Sequence, residues 1–451
     1  MTVSTKLISI THTTKKNLFI KNFGCQMNDY DSLRIQKMLE NYGFKKADNY
    51  ENASHIILIT CSVRQKAEDK VFSELGRINK IKKKNPFLIL GVGGCLAQHH
   101  GKKLIKQFPY IDFVFGTQKI TKLPEIISAA EKGNKIVNIE MNNCSEIYPD
   151  NSYKPEPGSI CSFVSIIQGC NNYCTYCIVP YVRGPEKSRD STEIISEIRR
   201  LVDSGVKEIT LLGQNVNSYN NTKNNLNSFP DLLKRINEIK GLERIRFVTS
   251  HPKDLSDKLI LSFKQLDKLC EHIHLPLQSG SDTILKKMNR VYTSQEYIDK
   301  ISALRETVPG ISITSDIIVG FPDETEEDFN STVNIINQIK YDDLFIFHYT
   351  DREGTKASTL NGKIPYKTKI ERLTLLNEIQ RKISLDKNLK LINKKVSVLF
   401  ENNSKYDNDF IAGRSRTNKV VNCKASADII GSIKNVKIIK ANIHSLNGIL
   451  I

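Results

Sequence analysis

Phe163-Val164-Ser165-Ile166-Ile167-Gln168-Gly169-Cys170-Asn171-Asn172-Tyr173-Cys174-Thr175-Tyr176-Cys177 carries an apolar strand straight into a loop with three cysteines. The spacing is C-x3-C-x2-C. Three thiolates on one short loop can hold three irons of a [4Fe–4S] cube and leave the fourth iron without a protein ligand. A structural zinc site more often pairs two C-x2-C clusters and uses four protein ligands, so zinc stays the rival reading at this point.

Outward from this loop the chain alternates strand and helix. Strands are expected near 162–168, 207–213, 244–249, 271–277, 311–319 and 343–349. Helices lie between them, near 191–204, 229–240, 254–267, 294–308 and 325–339. Ile194, Ile198, Leu201 and Val202 mark the buried face of the first helix. Six βα units in succession imply a parallel, barrel-like sheet, incomplete beside the eight-stranded barrel. On that reading Gln214 and Asn215 end the second strand, and the run His274-Leu275-Pro276-Leu277-Gln278-Ser279 ends the fourth. Polar residues at such strand ends face the barrel mouth, which makes Gln214, Asn215 and Gln278 candidates for cofactor contacts. A capping role for the following loop competes with that reading for the first two.

The first third of the chain reads as three further strand–helix units, with strands near 17–23, 55–60 and 87–92. Ile35, Met38, Leu39 and Tyr42 recur at helical spacing after the first, and Val63, Ala67, Val71, Leu75 and Ile78 after the second. Each strand runs into a cysteine or to within a few residues of one: Cys25, Cys61 and Cys95. In an open parallel sheet, loops at the carboxyl strand ends converge, so the βα period itself brings these distant cysteines together. From the residues alone, they are read as a site or as core residues with equal ease.

At 451 residues the chain holds two to three domains. Its hydrophobic fraction of 39% and charged fraction of 25% are those of a globular protein with real cores. No apolar run is long enough to span a bilayer, and the polar, Thr-rich stretch to Lys16 has no signal-peptide character, so no membrane association and a cytoplasmic location are expected. Ten cysteines without an export signal favour metal ligation or catalysis over a disulfide framework. The net charge of +17 points to a polyanionic partner, weighed only where the charge clusters because the chain is Lys-, Asn- and Ile-rich throughout. Ile370, Leu373, Leu376, Ile379 and Ile383 mark a long amphipathic helix. From Lys394 onward, short strands with Asn/Asp/Gly turns suggest a small antiparallel β-barrel, with ten Lys and Arg against four acids. The Pro-, Asn- and Ser-containing stretch from 142 to 159 reads as a linker. The expected domains are 16–141, an open parallel α/β domain; 156–388, a partial (βα)6 barrel; and 391–451, the basic barrel, giving an α/β protein overall.

The three-cysteine loop at the end of a first barrel strand resembles that of the radical S-adenosylmethionine superfamily. Gly24-Cys25-Gln26-Met27-Asn28, Thr60-Cys61-Ser62-Val63-Arg64 and Gly93-Gly94-Cys95-Leu96-Ala97 are similar to segments of its methylthiotransferase family. So are Arg183-Gly184, the run from Lys287 to Thr293, and Asp316 to Pro322. The resemblance extends from about Leu18 into the last barrel, which is similar to the RNA-binding TRAM module of that family. It implies one [4Fe–4S] cluster on Cys170, Cys174 and Cys177 that binds S-adenosylmethionine, and a second, auxiliary one on Cys25, Cys61 and Cys95. It places Tyr176 where the superfamily contacts adenine, with a packing aromatic as the alternative. Gln26-Met27-Asn28 and Ser62-Val63-Arg64 resemble the branch that methylthiolates N6-dimethylallyladenosine at position 37 of tRNA, beside the anticodon. Threonylcarbamoyladenosine or a ribosomal protein as acceptor, or a non-enzymatic iron–sulfur protein that binds tRNA, stay open. The partners implied are the tRNA anticodon stem-loop, an electron donor such as flavodoxin or ferredoxin, and a sulfur source, with the chain acting as a monomer. No catalytic side chain is assigned beyond the clusters. Ile59 and Asp323 depart from the family pattern, which commonly has Asn and Gly there. Cys144, Cys161, Cys270 and Cys423 match no motif and are read as small buried hydrophobes or surface thiols.

Overall fold

His55–Thr60 is buried at every position, as befits a strand covered on both faces by helices. It is β3 of a six-stranded parallel sheet made of β1 (Asn17–Asn22), β2 (Lys45–Lys46), β3, β4 (Ile89–Gly94), β5 (Phe113–Phe115) and β6 (Ile136–Asn138), in the order β2-β1-β3-β4-β5-β6. Alternate residues of the strands serve two cores. Ile56, Leu58, Leu90 and Val92 meet Val71, Leu75 and Ile78, while Ile57 and Ile59 meet Ile35, Leu39, Leu123 and Ile127. Ile59 thus has an apolar partner set, which accounts for an aliphatic residue at a position the family often gives to Asn. The sequence predicts three strands here. The added β2, β5 and β6 are two or three residues long, too short for a hydrophobic period to register.

The computed structural model describes residues 16–62, 65–141, 155–220, 228–404, 407 and 409–451. Most of the expected linker, with Cys144, lies outside the described residues, as do Val63 and Arg64 of the second cysteine segment. The chain divides into two units, Met1–Tyr153 and Lys154–Ile451.

The second unit opens with β7 (Cys161–Ser165), followed by β8 (Ile167–Gln168) and β9 (Lys187–Ser188), which pair with each other antiparallel. β10 (Glu208–Leu212) and β11 (Arg244–Phe247) join β7 in a parallel sheet of order β11-β10-β7. β12 (His272–His274), β13 (Ser312–Val319) and β14 (Asp343–His348) form a second parallel sheet, and a bridge between Ile245 and Leu269 lies between the two. The six-stranded order is the expected one, with the ladder interrupted between β11 and β12. Helix Tyr366–Leu389 leads to a closed barrel of β15 (Lys395–Asn403), β16 (Phe410–Ser415), β17 (Val420–Lys424), β18 (Ile433–Ala441) and β19 (Leu446–Leu450). The pairings are antiparallel except at β17–β19, where a parallel seam closes the barrel and leaves no free edge. Among the described residues no helix is long and apolar enough to cross a membrane.

Two buried arginines on β11 join this barrel to the larger one. Arg244, 1% exposed, donates to the Arg414 carbonyl at 2.6 Å and to the Ser397 carbonyl at 3.2 Å. Arg246 donates to the Ser415 and Arg416 carbonyls at 2.8 and 3.0 Å, and its Nε reaches Glu208 at 2.8 Å. Arg416 answers with a bidentate pair to Glu271, and Lys419 lies 3.4 Å from Asp342. Part of the basic charge read from the tail is therefore committed to this seam, a use that charge counting does not reveal. Lys395, Lys424, Lys434, Lys437 and Lys440 remain exposed.

Removing one partner of a buried pair strands the other charge. Arg246→Ala is expected to destabilise the second unit by about 3–5 kcal/mol in urea unfolding. Lys258→Ala, which breaks the exposed pair with Asp231, is expected to cost less than about 1 kcal/mol.

Candidate metal and cofactor centre

Gly169 opens the three-cysteine loop at φ +78°, and a Cβ there would collide with the carbonyls of Gly184 and Pro185. Its N–H donates to Gln214 Oε1 at 2.6 Å, and the Cys170 N–H donates to the Gly184 carbonyl at 3.2 Å. The far side of the loop is held from another segment. The Thr175 N–H donates to the Met288 carbonyl at 3.0 Å, Thr175 Oγ1 to the Lys287 carbonyl at 2.9 Å, and Asn289 Nδ2 to the Asn172 and Tyr173 carbonyls at 3.1 and 3.2 Å. Arg183-Gly184 and the run from Lys287 are thus the clamps of this loop. Asp323, φ +60°, donates its N–H to the Gly362 carbonyl at 2.8 Å, and its carboxylate lies 3.1 Å from Lys287. Aspartate tolerates that left-handed backbone, the reason it can stand where the family has glycine.

Cys170 and Cys174 are buried and Cys177 is half-buried. Burial raises the Cys170 thiol and pushes that of Cys177 up to about 12, with neighbouring Cys174 as the second cause. Such thiols release their protons to a metal rather than to water. Asn215 is 1% exposed; its Nδ2 donates to Asp254 Oδ2 at 2.7 Å, while its buried Oδ1 has no hydrogen-bond partner. That orphaned acceptor suits an N–H donor such as the amino group of S-adenosylmethionine. The donor set and the orphan fit an iron–sulfur cluster with a chelating amino acid on its open iron. Gln278, φ +76°, is buried and clamps β13 through its backbone, donating to the Asp316 carbonyl and accepting from the Ile318 N–H, both at 2.9 Å. The Gln214 side chain holds the cysteine loop. Tyr176 is partly buried against the core cluster of Ile284, Met288, Phe321, Tyr349 and Ala357.

In the first unit Cys25 precedes helix Gln26–Glu40, Cys61 follows β3, and Cys95 opens helix Cys95–His100 directly after β4. β1, β3 and β4 are neighbours in the sheet, so all three cysteines stand at one edge of it. Side chains tie the three strand ends together: Asn28 Nδ2 donates to the Thr60 carbonyl at 3.0 Å, and Thr60 Oγ1 donates to the Gly93 carbonyl at 2.5 Å. Gly94, φ +92°, lies against the Thr60 backbone where any Cβ would clash. Asn28 of the Gln26-Met27-Asn28 segment is therefore a structural tie between the Cys25 and Cys61 loops. Cys25 is exposed at a helix start, where peptide dipoles favour negative charge such as a cluster-bound thiolate carries.

Sequence reasoning missed a polar cluster on the β12-β13-β14 sheet. Thr314 Oγ1 is shared by His272 Nε2 at 3.2 Å and His274 Nδ1 at 3.0 Å; His274 Nε2 lies 3.5 Å from Asp316, and its ring lies 5.8 Å from exposed Phe345. The His-x-His alternation within an expected strand was the available signal. Of the other cysteines, Cys270 and Cys423 are buried as small hydrophobes, and Cys423 lies in the core of the closed barrel. Half-buried Cys161 groups with Glu208 and Glu401, each offering a ligand atom within 4.8 Å of the others. Arg246 already pairs with Glu208, and Arg414 lies 3.9 Å from Glu401, so that group carries no excess of negative charge to attract a cation.

Three family models match the chain: the Radical SAM superfamily over residues 164–336, the uncharacterized protein family UPF0004 over 17–116, and the TRAM domain over 390–451. A tRNA-2-methylthio-N(6)-dimethylallyladenosine synthase from Syntrophus aciditrophicus is 48% identical over 440 residues, 98% of this chain and 95% of that protein. Proteins of the same name from Clostridium tetani and Geobacter sulfurreducens are each 45% identical, covering 98% and 97% of this chain and 98% of their own lengths. The fold is similar to that of the radical S-adenosylmethionine methyltransferase TsrM from Kitasatospora setae, with a TM-score of 0.56 and 13% identity over 76% of this chain and 74% of that one.

Anaerobic reconstitution is expected to load about eight irons per chain, and about four after alanine replacement of either cysteine trio. Iron and sulfide analysis checks this; saturation near four in the unaltered protein would remove one of the two sites.

Proposed function

Because the chain belongs to the tRNA-2-methylthio-N6-dimethylallyladenosine synthase family, radical S-adenosylmethionine methylthiotransferases with two [4Fe–4S] clusters, we propose a division of its chemistry between two cysteine trios. The enzyme methylthiolates N6-dimethylallyladenosine in tRNA. We place the radical cluster on Cys170, Cys174 and Cys177 and the auxiliary cluster on Cys25, Cys61 and Cys95. We set the domains at 16–141, 156–388 and 391–451. The observation that carries this reading is the pair of cysteine trios at strand carboxyl ends, one in each unit.

When bound, the radical cluster and S-adenosylmethionine supply a 5′-deoxyadenosyl radical able to take hydrogen from adenine C2, and the auxiliary cluster supplies an iron that can hold sulfur. The protein's own groups hold that chemistry in place. Gly184, Gln214 and Lys287–Asn289 fix the loop that presents the three thiolates. Asn215 Oδ1 would accept from the cofactor's amino group. Tyr176, at the position where the resemblance puts the adenine contact, and Gln278, at the end of the fourth barrel strand, would take further cofactor contacts. In the first unit, Asn28 and Thr60 keep the three thiolate-bearing loops in register. With both groups bound, exchange of C2–H for C2–S–CH3 would draw its methyl group from one S-adenosylmethionine and its radical from a second.

The acceptor we assign is adenosine 37, beside the anticodon, an unstacked loop purine of the kind that sequence-specific RNA readers take. The closed barrel grips the anticodon arm through its exposed lysines. A flavodoxin or ferredoxin supplies the electron, a separate sulfur source recharges the auxiliary site, and the enzyme works as a cytoplasmic monomer.

Replacing Cys25, Cys61 and Cys95 together by Ala is expected to leave reductive formation of 5′-deoxyadenosine intact and to abolish methylthio product. Chromatography of the reaction supernatant reads 5′-deoxyadenosine and nucleoside mass spectrometry of the tRNA reads the methylthio product; product at the unaltered level would end the auxiliary-cluster assignment. Replacing Lys434, Lys437 and Lys440 by Ala, surface changes that spare the buried seam, is expected to weaken tRNA binding. It should also reduce the slope of log K against log salt by up to about 3, near one per lost phosphate contact. An unchanged slope in a salt titration would put the RNA-binding face elsewhere.

A further inference from the structure

Arg290 is 7% exposed, and among the described residues it forms no ion pair with a carboxylate. Three of the five N–H donors of its guanidinium are engaged elsewhere. Nη2 donates to the Pro276 carbonyl at 2.9 Å, Nε donates to the Tyr292 hydroxyl at 2.8 Å, and Nη1 lies 3.5 Å from Cys174 Sγ in hydrogen-bonding geometry. Tyr292 is fixed in turn by donating to the Leu277 carbonyl at 2.8 Å, and the guanidinium stands 5.0 Å from the centre of its ring. Nearby His251 adds no second positive charge: burial first, then Arg290 itself, push it down to about 2. A buried guanidinium without an anion is costly, and structures pair such charges. Of the groups its guanidinium contacts, only Cys174 belongs to a set that becomes anionic when metal is bound.

We propose that Arg290 is a positioning residue whose charge-assisted N–H···S bond to Cys174 sets the reduction potential of the cluster bound at Cys170, Cys174 and Cys177. The inference rests on the assignment of that cluster to these cysteines. Reduction adds one electron to a group already held by three thiolates. A fixed cation and an N–H donor at one sulfur stabilise the added negative charge and raise the potential. Arginine keeps its proton throughout, so the electron is the only species that moves. The Asn289–Arg290 pair thus serves one loop twice: Asn289 holds its backbone and Arg290 its sulfur.

The test uses the full chain carrying Cys25→Ala, Cys61→Ala and Cys95→Ala, so that one cluster remains, followed by EPR during potentiometric titration without S-adenosylmethionine. Arg290→Met and Arg290→Gln, which removes the charge but keeps an N–H donor, are expected to retain about four irons. In both, reduction should become at least tenfold less favourable, about 59 mV for one electron. Arg290→Lys should recover part of that shift. An unchanged potential with iron retained overturns the proposal, and so does loss of iron from both neutral variants, which would reduce Arg290 to a support of the loop. Absence of any cluster in the parent triple variant would instead sink the assignment of the cysteines themselves.

Discussion

A parallel strand buried on both faces can expose reactive groups only where it ends, and both cysteine trios depend on that constraint. In the first unit, β1, β3 and β4 lie side by side and release their chains at one edge, so Cys25, Cys61 and Cys95 stand at the same strand ends despite the helices between them. In the second unit, β7 delivers all three cysteines in one loop. The two solutions need different support. A loop with three cysteines must be kept from collapsing, and clamps from Gly184, Gln214 and Lys287–Asn289 do this. Three separate loops must be kept in register, and Asn28 and Thr60 do that through the strand ends themselves.

Buried arginines recur wherever the second unit joins unlike parts. Arg244 and Arg246 carry the closed barrel on carbonyls at the end of β16, and Arg290 links the cysteine loop to the segment after β12. Arg372 ties helix Tyr366–Leu389 to Glu324, at 2.7 Å, after β13. The rigid fork of donors explains the choice, since one guanidinium can satisfy several carbonyls from different segments where a lysine would reach fewer. These residues fix orientation as well as contact, which a cofactor-bearing barrel requires.

Much of this was legible in the sequence because it is local. The C-x3-C-x2-C spacing, the apolar strand before it and the 3.6-residue periods of the helices depend on neighbours in the chain, and the six barrel strands appear where those signals put them. The α/β alternation also sufficed to bring Cys25, Cys61 and Cys95 to one edge, since topology follows from the order of elements. What escaped were short pieces and long-range partners. β2, β5 and β6 are too brief to show a period, and the parallel seam between β17 and β19 depends on barrel closure.

Side-chain roles were decided only by the tertiary structure. From the sequence, Arg414, Arg416 and Lys419 counted as part of a basic face, yet Arg416 and Lys419 lie against Glu271 and Asp342 in a seam formed by distant segments, and Arg414 lies against Glu401 within the closed barrel. Gln214 was read toward a cofactor and holds Gly169. Arg290 stood unremarked within a motif and proved to touch Cys174, more than a hundred residues earlier in the chain. The physical reason is that charge and hydrogen bonding act through space over a few ångströms. Periodicity and spacing carry information only along the chain, so the sequence determined which elements form and where the cysteines gather, and folding alone decided which polar group meets which.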